Sequence, residues 1–256
     1  MRLAISLLLT SLCLAVIGCG GSSRGDATQE GATGSTSTND TTSGGESTAP
    51  RTLYTTTPVP VPQPAVPRDR LAQPTQDIWI EVERAIAERP PEPPHAADEN
   101  ALTAWYGDAF APWLRGRVDA GTRAEAHAND LEGAPPWERG VAAGLLGYFH
   151  EQTAAEARGA PIPASIADDP ELLAIYSQSL DGALMPLVRR ALEAYRFCLA
   201  AFDELAGASE GPAWQEWRDF CEDRGEELVR VYTRPEADAP SSSASSAGAT
   251  QQGAAQ

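Results

Sequence analysis

Lysine is missing from this sequence altogether. All 19 basic side chains are arginine, set against 36 acidic ones for a formal net charge of −17. A surface this acidic repels phosphate backbones and anionic headgroups, which excludes nucleic acid as a partner and electrostatic docking onto an anionic membrane. Histidine is scarce, with three residues, and the four cysteines do not cluster with any of them, so no zinc-type ligand set is expected. No G-x-S-x-G, no G-x-G-x-x-G, no phosphate-cradling loop and no haem-attachment motif occurs. His150-Glu151 opens like the helical zinc-protease motif, but the second histidine would fall at residue 154, which is Ala154. No stretch alternates apolar and polar residues with strand-forming side chains, so no sheet is expected either.

The apolar material that exists is concentrated. All six tryptophans and all five phenylalanines lie between residues 75 and 234. That span is about 160 residues, enough for one domain with its own core. It carries 29 acidic residues against 14 arginines. Residues 20–74 and 235–256 are too polar and too poor in large apolar side chains to build a core, and read as a disordered linker and tail.

The N-terminus has a different character. Arg2 is followed by an apolar run from Leu3 to Ile17, too short for a stable bilayer-spanning helix, and then by Val16-Ile17-Gly18-Cys19. This arrangement resembles the lipobox of bacterial lipoproteins: an aliphatic residue at −3, a small one at −1 and a cysteine. The resemblance implies that residues 1–18 are a signal peptide, that Cys19 receives a diacylglycerol and becomes the first mature residue, and that the membrane partner is reached through this lipid. Two or more acyl chains anchor stably where one does not. Gly20 stands where an Asp often retains such proteins in an inner membrane, which favours the outer membrane of a two-membrane envelope. The alternative is an ordinary secretory signal with a chance cysteine.

Residues 19–74 then read as a tether. The Gly/Ser/Thr-rich 20–50 is a coil with a reach of roughly 30 Å, and the proline-alternating 58–67 is a polyproline II rod of about 30 Å.

Within 75–234 the recurring signal is helical, and the fold expected is all-α, an irregular bundle of five to six helices arranged as hairpins. Ile78, Val82 and Ile86 mark a helix ended by Pro90-Pro91. Leu102, Trp105, Ala109 and Trp113, widened by Tyr106, Phe110 and Leu114, mark a second, with Asp98 as its cap. A short polar helix is expected over 122–131. Pro135-Pro136 opens another with Trp137, Val141, Leu145 and Tyr148 on one face. The longest runs over 170–206, capped by Asp168 or Asp169, with Leu173, Tyr176, Leu180, Leu184 and Leu187 in its stripe. Pro186 inside it predicts a kink or a junction of two helices. The last helix, 212–232, presents Trp214, Trp217, Cys221, Leu228 and Tyr232.

Cys198 and Cys221 remain once Cys13 has left with the signal and Cys19 is lipidated. The loop between the last two helices, 207–212, has its midpoint at 209.5, and so does the pair 198 and 221. Residues equidistant from the turn of an antiparallel hairpin share a height, and both cysteines fall on apolar stripes. In an exported domain this predicts a disulfide; two buried free thiols are the alternative.

The segment Pro161 to Tyr232 resembles the C-terminal parts of bacterial envelope proteins built from tetratricopeptide-type hairpins. The residues that carry the resemblance are Pro161-Ile162-Pro163, Asp169-Pro170-Glu171-Leu172, Tyr176, Leu180, Pro186-Leu187, Ala191, Ala194-Tyr195, Cys198, Trp214, Trp217 and Cys221. It implies a scaffolding role. His95 in a proline-rich turn, His127 on a polar helix and the acidic pairs Glu222-Asp223 and Glu226-Glu227 read as solvated. The functional reading is therefore a non-enzymatic envelope lipoprotein that binds a protein partner, without cofactor or metal. A small-ligand-binding lipoprotein and an envelope enzyme with a carboxylate site are the alternatives.

Overall fold

The computed structural model describes residues 51–52, 59–94 and 99–232. The expected signal peptide, Cys19, His95, Asp98 and the C-terminal tail lie outside them.

The fold is all-α. Helix α1 (Gln73–Ala87) has proline in its first turn; of its four-residue repeat Ile78 and Val82 are buried and Ile86 partly so, and Trp79 joins them in the core. Its N-terminal end has no side-chain cap of its own. A carboxylate from elsewhere compensates: the Ala72 N–H donates to Glu138 Oε1 at 2.7 Å.

The second and third expected helices are one continuous run. Helix α2 (Glu99–Trp105) passes through a wide π turn, Tyr106–Phe110, into α3 (Ala111–Asn129). The polar helix anticipated at 122–131 is thus the C-terminal part of α3. Pro112 has no N–H to give the carbonyl of residue 108, and the wide turn lies directly before it. That turn spaces aromatic residues five apart onto one side: the Trp105 and Phe110 ring centroids lie 5.0 Å apart, and those of Phe110 and Trp113 5.2 Å.

Helix α4 (Pro136–Arg158) is the centre of the molecule. Eighteen of its 23 residues are buried, so it has no solvent face, in contrast to the single stripe of Trp137, Val141, Leu145 and Tyr148 expected for it. It is followed by Pro161–Ile162 (β2), which pairs antiparallel with Arg51–Thr52 (β1), and by the short α5 (Ala164–Ala167).

Helix α6 (Pro170–Asp203) is capped by Asp169, whose carboxylate accepts from the N–H groups of Glu171 (2.9 Å) and Leu172 (3.1 Å). It runs as a single helix through Pro186, so the two-helix alternative is not what forms. The carbonyl that Pro186 crowds belongs to Gly182. A Cβ added to Gly182 would meet no atom within 4 Å, so the turn has room. A turn with Gly207 at φ +86° leads to α7 (Gln215–Tyr232).

The most extensive contact is between α4 and α6. Its cause is a row of glycines at one helical spacing on α4. A Cβ on Gly140 would stand 2.7 Å from the Phe202 ring, one on Gly144 2.9 Å from Trp217, and one on Gly147 2.7 Å from the Tyr195 ring. Large rings of α6 and α7 therefore lie against bare backbone. Gly147→Ala is expected to destabilise despite improved helix propensity, since overpacking costs about 1–3 kcal/mol and the propensity gain is at most about 1 kcal/mol. Gly116→Ala, on an open face of α3, should stabilise by roughly 0.5–1 kcal/mol. Chemical denaturation of the two variants reads out the opposite signs.

The packed chain begins before residue 75, correcting the boundary between linker and domain. Pro62 and Leu71 are buried, and Val59, Val61 and Val66 pack on the core. The Trp217 Nε1–H donates to the Gln63 carbonyl at 3.1 Å. The end of the proline-rich stretch is thus a strap across the bundle rather than a free rod.

Candidate functional site

Polar side chains in a helix buried on all sides must find partners from the helices around it. On α4 Glu138 meets the start of α1, and the others fall in one block, His150 to Thr153, with Glu156 a turn further; His150, Glu151 and Glu156 each pair with a different side chain.

Toward α3 and α6, the His150 Nε2–H donates to Glu125 Oε1 at 2.9 Å, and Arg190 approaches the same oxygen at 3.4 Å. Burial pushes the Glu125 carboxyl up, but the His150 hydrogen bond with the His150 and Arg190 charges outweighs it and holds the group below its ordinary value. Toward α6 and α7, Glu151 accepts from the Tyr195 hydroxyl at 2.6 Å and pairs with the Arg224 guanidinium. Burial lowers the Arg224 pKa and raises that of Tyr195. Toward α3, Glu156 pairs with Arg117 at 2.6 Å and sits 3.6 Å from Arg89. Arg117 Nη2 also donates to the Glu88 carbonyl at 3.2 Å. Burial lifts the Glu156 carboxyl above its usual range against the pull of Arg117 and Arg89, and it lowers the Arg117 pKa.

His150-Glu151 is therefore a pair of interhelical bridges. Its two residues point to different neighbours, and neither shares a ligand set with a second histidine. His127 lies at a half-exposed position, its Nδ1 3.9 Å from Asp77 Oδ2. Among the acidic pairs, Glu222 bridges Arg218 at 3.0 Å, and Glu227 pairs with Arg230 on the surface. Among the described residues no group of three His, Cys, Asp or Glu could hold a metal ion.

Cys198 and Cys221 meet at disulfide distance, with their Cα atoms 6.4 Å apart and both side chains fully buried. Symmetry about the 207–212 turn carries the pair to the same height, and Gly144 opposite leaves room for the sulfurs, 3.2 Å from Cys221 Sγ to a Cβ placed there.

The exposed part of the molecule most unlike its surroundings is the start of α6. Leu184 is the first buried residue of that helix. Leu173, Tyr176 and Leu180, expected in the core, are only half-buried, and Leu172 and Ile175 are 45% and 55% exposed. Asp169→Ala should cost about 1 kcal/mol locally, because the cap serves this partly uncovered end. Faster amide exchange over 171–176 with an unchanged denaturation midpoint is the expected readout.

No family model, curated protein or solved structure matches the chain.

Proposed function

We propose that this protein is a lipid-anchored lipoprotein of the cell envelope, held through Cys19, whose helical domain binds a protein partner. The observation that supports the interaction role is the partly uncovered start of α6. A helix segment of this length is marginal in water without tertiary packing, and this one turns Leu172 and Ile175 to solvent beside the half-buried Leu173 and Tyr176. Its apolar residues recur at the three- and four-residue spacing by which a helix lies in or receives a groove. The carboxylates of Glu151, Glu156 and the partly exposed Glu125 support the same reading, because each is engaged in an interhelical bridge. Among the described residues no helix is long and apolar enough to cross a membrane.

The anchor is tested by labelled palmitate, which should enter the wild type and not Cys19→Ser. The interaction is tested by a photo-crosslinking residue at position 175 in living cells. A discrete adduct is expected there and not from position 219 on the exposed face of α7. An even smear from both positions, or no adduct from either, removes the interaction reading while leaving the anchor untouched.

A further inference from the structure

A cavity of about 380 Å³ lies beneath the strap, with Val61 on one wall, Trp79, Val82 and Ile86 of α1 on another, and Leu145 and Tyr148 of α4 as its floor. These surfaces are apolar and the cavity is near the small end of ligand pockets. Its rim is of the opposite character. Arg68 and Arg89 both line it, in a chain that carries an excess of 17 negative charges.

The two arginines are held differently. Arg68 lies 4.1 Å over the Trp79 ring and bonds Glu83 at 2.7 Å, while Trp79 Nε1–H donates to the same carboxylate oxygen at 2.8 Å. Glu83, the acidic residue of the rim, is thereby neutralised locally. Arg89 is 65% exposed and approaches Glu156 only at 3.6 Å, beyond hydrogen-bond length, so among the described residues its planar fork of donors faces no tight acceptor. A guanidinium so placed is suited to a bidentate carboxylate.

We propose that this cavity binds a small amphiphilic monocarboxylate: an unbranched apolar chain packed between Val61, Val82, Ile86 and Leu145, with its carboxylate on Arg89. The site does not depend on the lipid anchor or on the α6 arm. Because Val61 belongs to the strap, the occupant fastens the strap to the bundle.

The test uses the full chain and decanoate below its micellar concentration, followed by calorimetry. Saturable one-to-one binding is expected. Decanol and acetate, each lacking one half of the chemistry, should bind at least about tenfold more weakly, and so should decanoate to Arg89→Gln, the loss set by one charge-assisted hydrogen-bonded pair. Arg89 is at the surface, so an unchanged far-ultraviolet spectrum of that variant shows the fold is kept. Val61→Asp, which puts a charge in the apolar wall, should weaken decanoate by a similar factor. No saturable heat, equal affinity for decanol and decanoate, or wild-type affinity in Arg89→Gln would each overturn the proposal.

Discussion

Replacing Arg117 with Met is expected to cost the folded domain about 3–5 kcal/mol, because it strands Glu156 at a site where the carboxylate is 9% exposed. Arg89, farther from Glu156 at 3.6 Å and solvent-facing, replaces little of the lost attraction. The deficit should depend on pH. Glu156 already has a raised pKa in the wild type because burial outweighs its two arginines, and removing the nearer one raises it further. A carboxyl whose folded pKa exceeds its unfolded one favours the fold when protonated, so the variant's deficit shrinks on acidification and grows as pH rises through the glutamate range. Denaturant titrations of wild type and variant across that range measure it, and a deficit independent of pH would show that Glu156 is not the group left stranded.

The same pair yields a second-order expectation. Both partners are shifted in the direction burial dictates, and Arg117 Nε and Nη1 find no acceptor among the described residues. Burying the pair therefore costs more than its attraction returns, and Arg117→Met combined with Glu156→Leu should recover most of what the single change loses.

The second large effect concerns the hairpin of α6 and α7. Oxidised, Cys198 and Cys221 close a loop with a sequence separation of 23, for which the chain-entropy relation gives about 3 kcal/mol. The double variant Cys198→Ala/Cys221→Ala should lose about that much in urea denaturation, and wild type treated with reductant in denaturant and refolded under it should match the variant. Alkylation of both cysteines in denaturant without reductant would refute the bridge.

Periodicity and breakers made the helices legible, and so did the cysteine pairing, since symmetry about a short turn is readable from residue numbers alone. What escaped was set by neighbours distant in sequence. Helix α4 carries Ala142, Ala143, Gly144 and Gly147 among its apolar residues and has little hydrophobic contrast, so a stripe was visible where all sides are covered. The partners of His150 and Glu151 were not legible, because Glu125, Tyr195 and Arg224 come from three other helices. The glycine row at 140, 144 and 147 was the available signal for a helix that rings press against. In α6 the difference runs the other way: Leu173, Tyr176 and Leu180 continue the stripe of Leu184 and Val188 but are only half-buried, with Leu180 at the edge of the Trp105 and Phe110 cluster and Tyr176 beside Tyr106. The cavity was invisible for a related reason, since one of its walls belongs to residues whose proline alternation reads as a free spacer.

The docked strap also fixes how the domain would respond to a pull on the chain that precedes it. Force entering at residue 51 first meets the pairing of Arg51–Thr52 with Pro161–Ile162, and only after it the contacts of Val59 and Val61 and the bond between Trp217 and Gln63. These contacts act in sequence, so the sheet pair yields first and the strap then peels a few residues at a time while the bundle stays folded. Once that pairing has opened, residues 59–72 give up length before the load reaches the core.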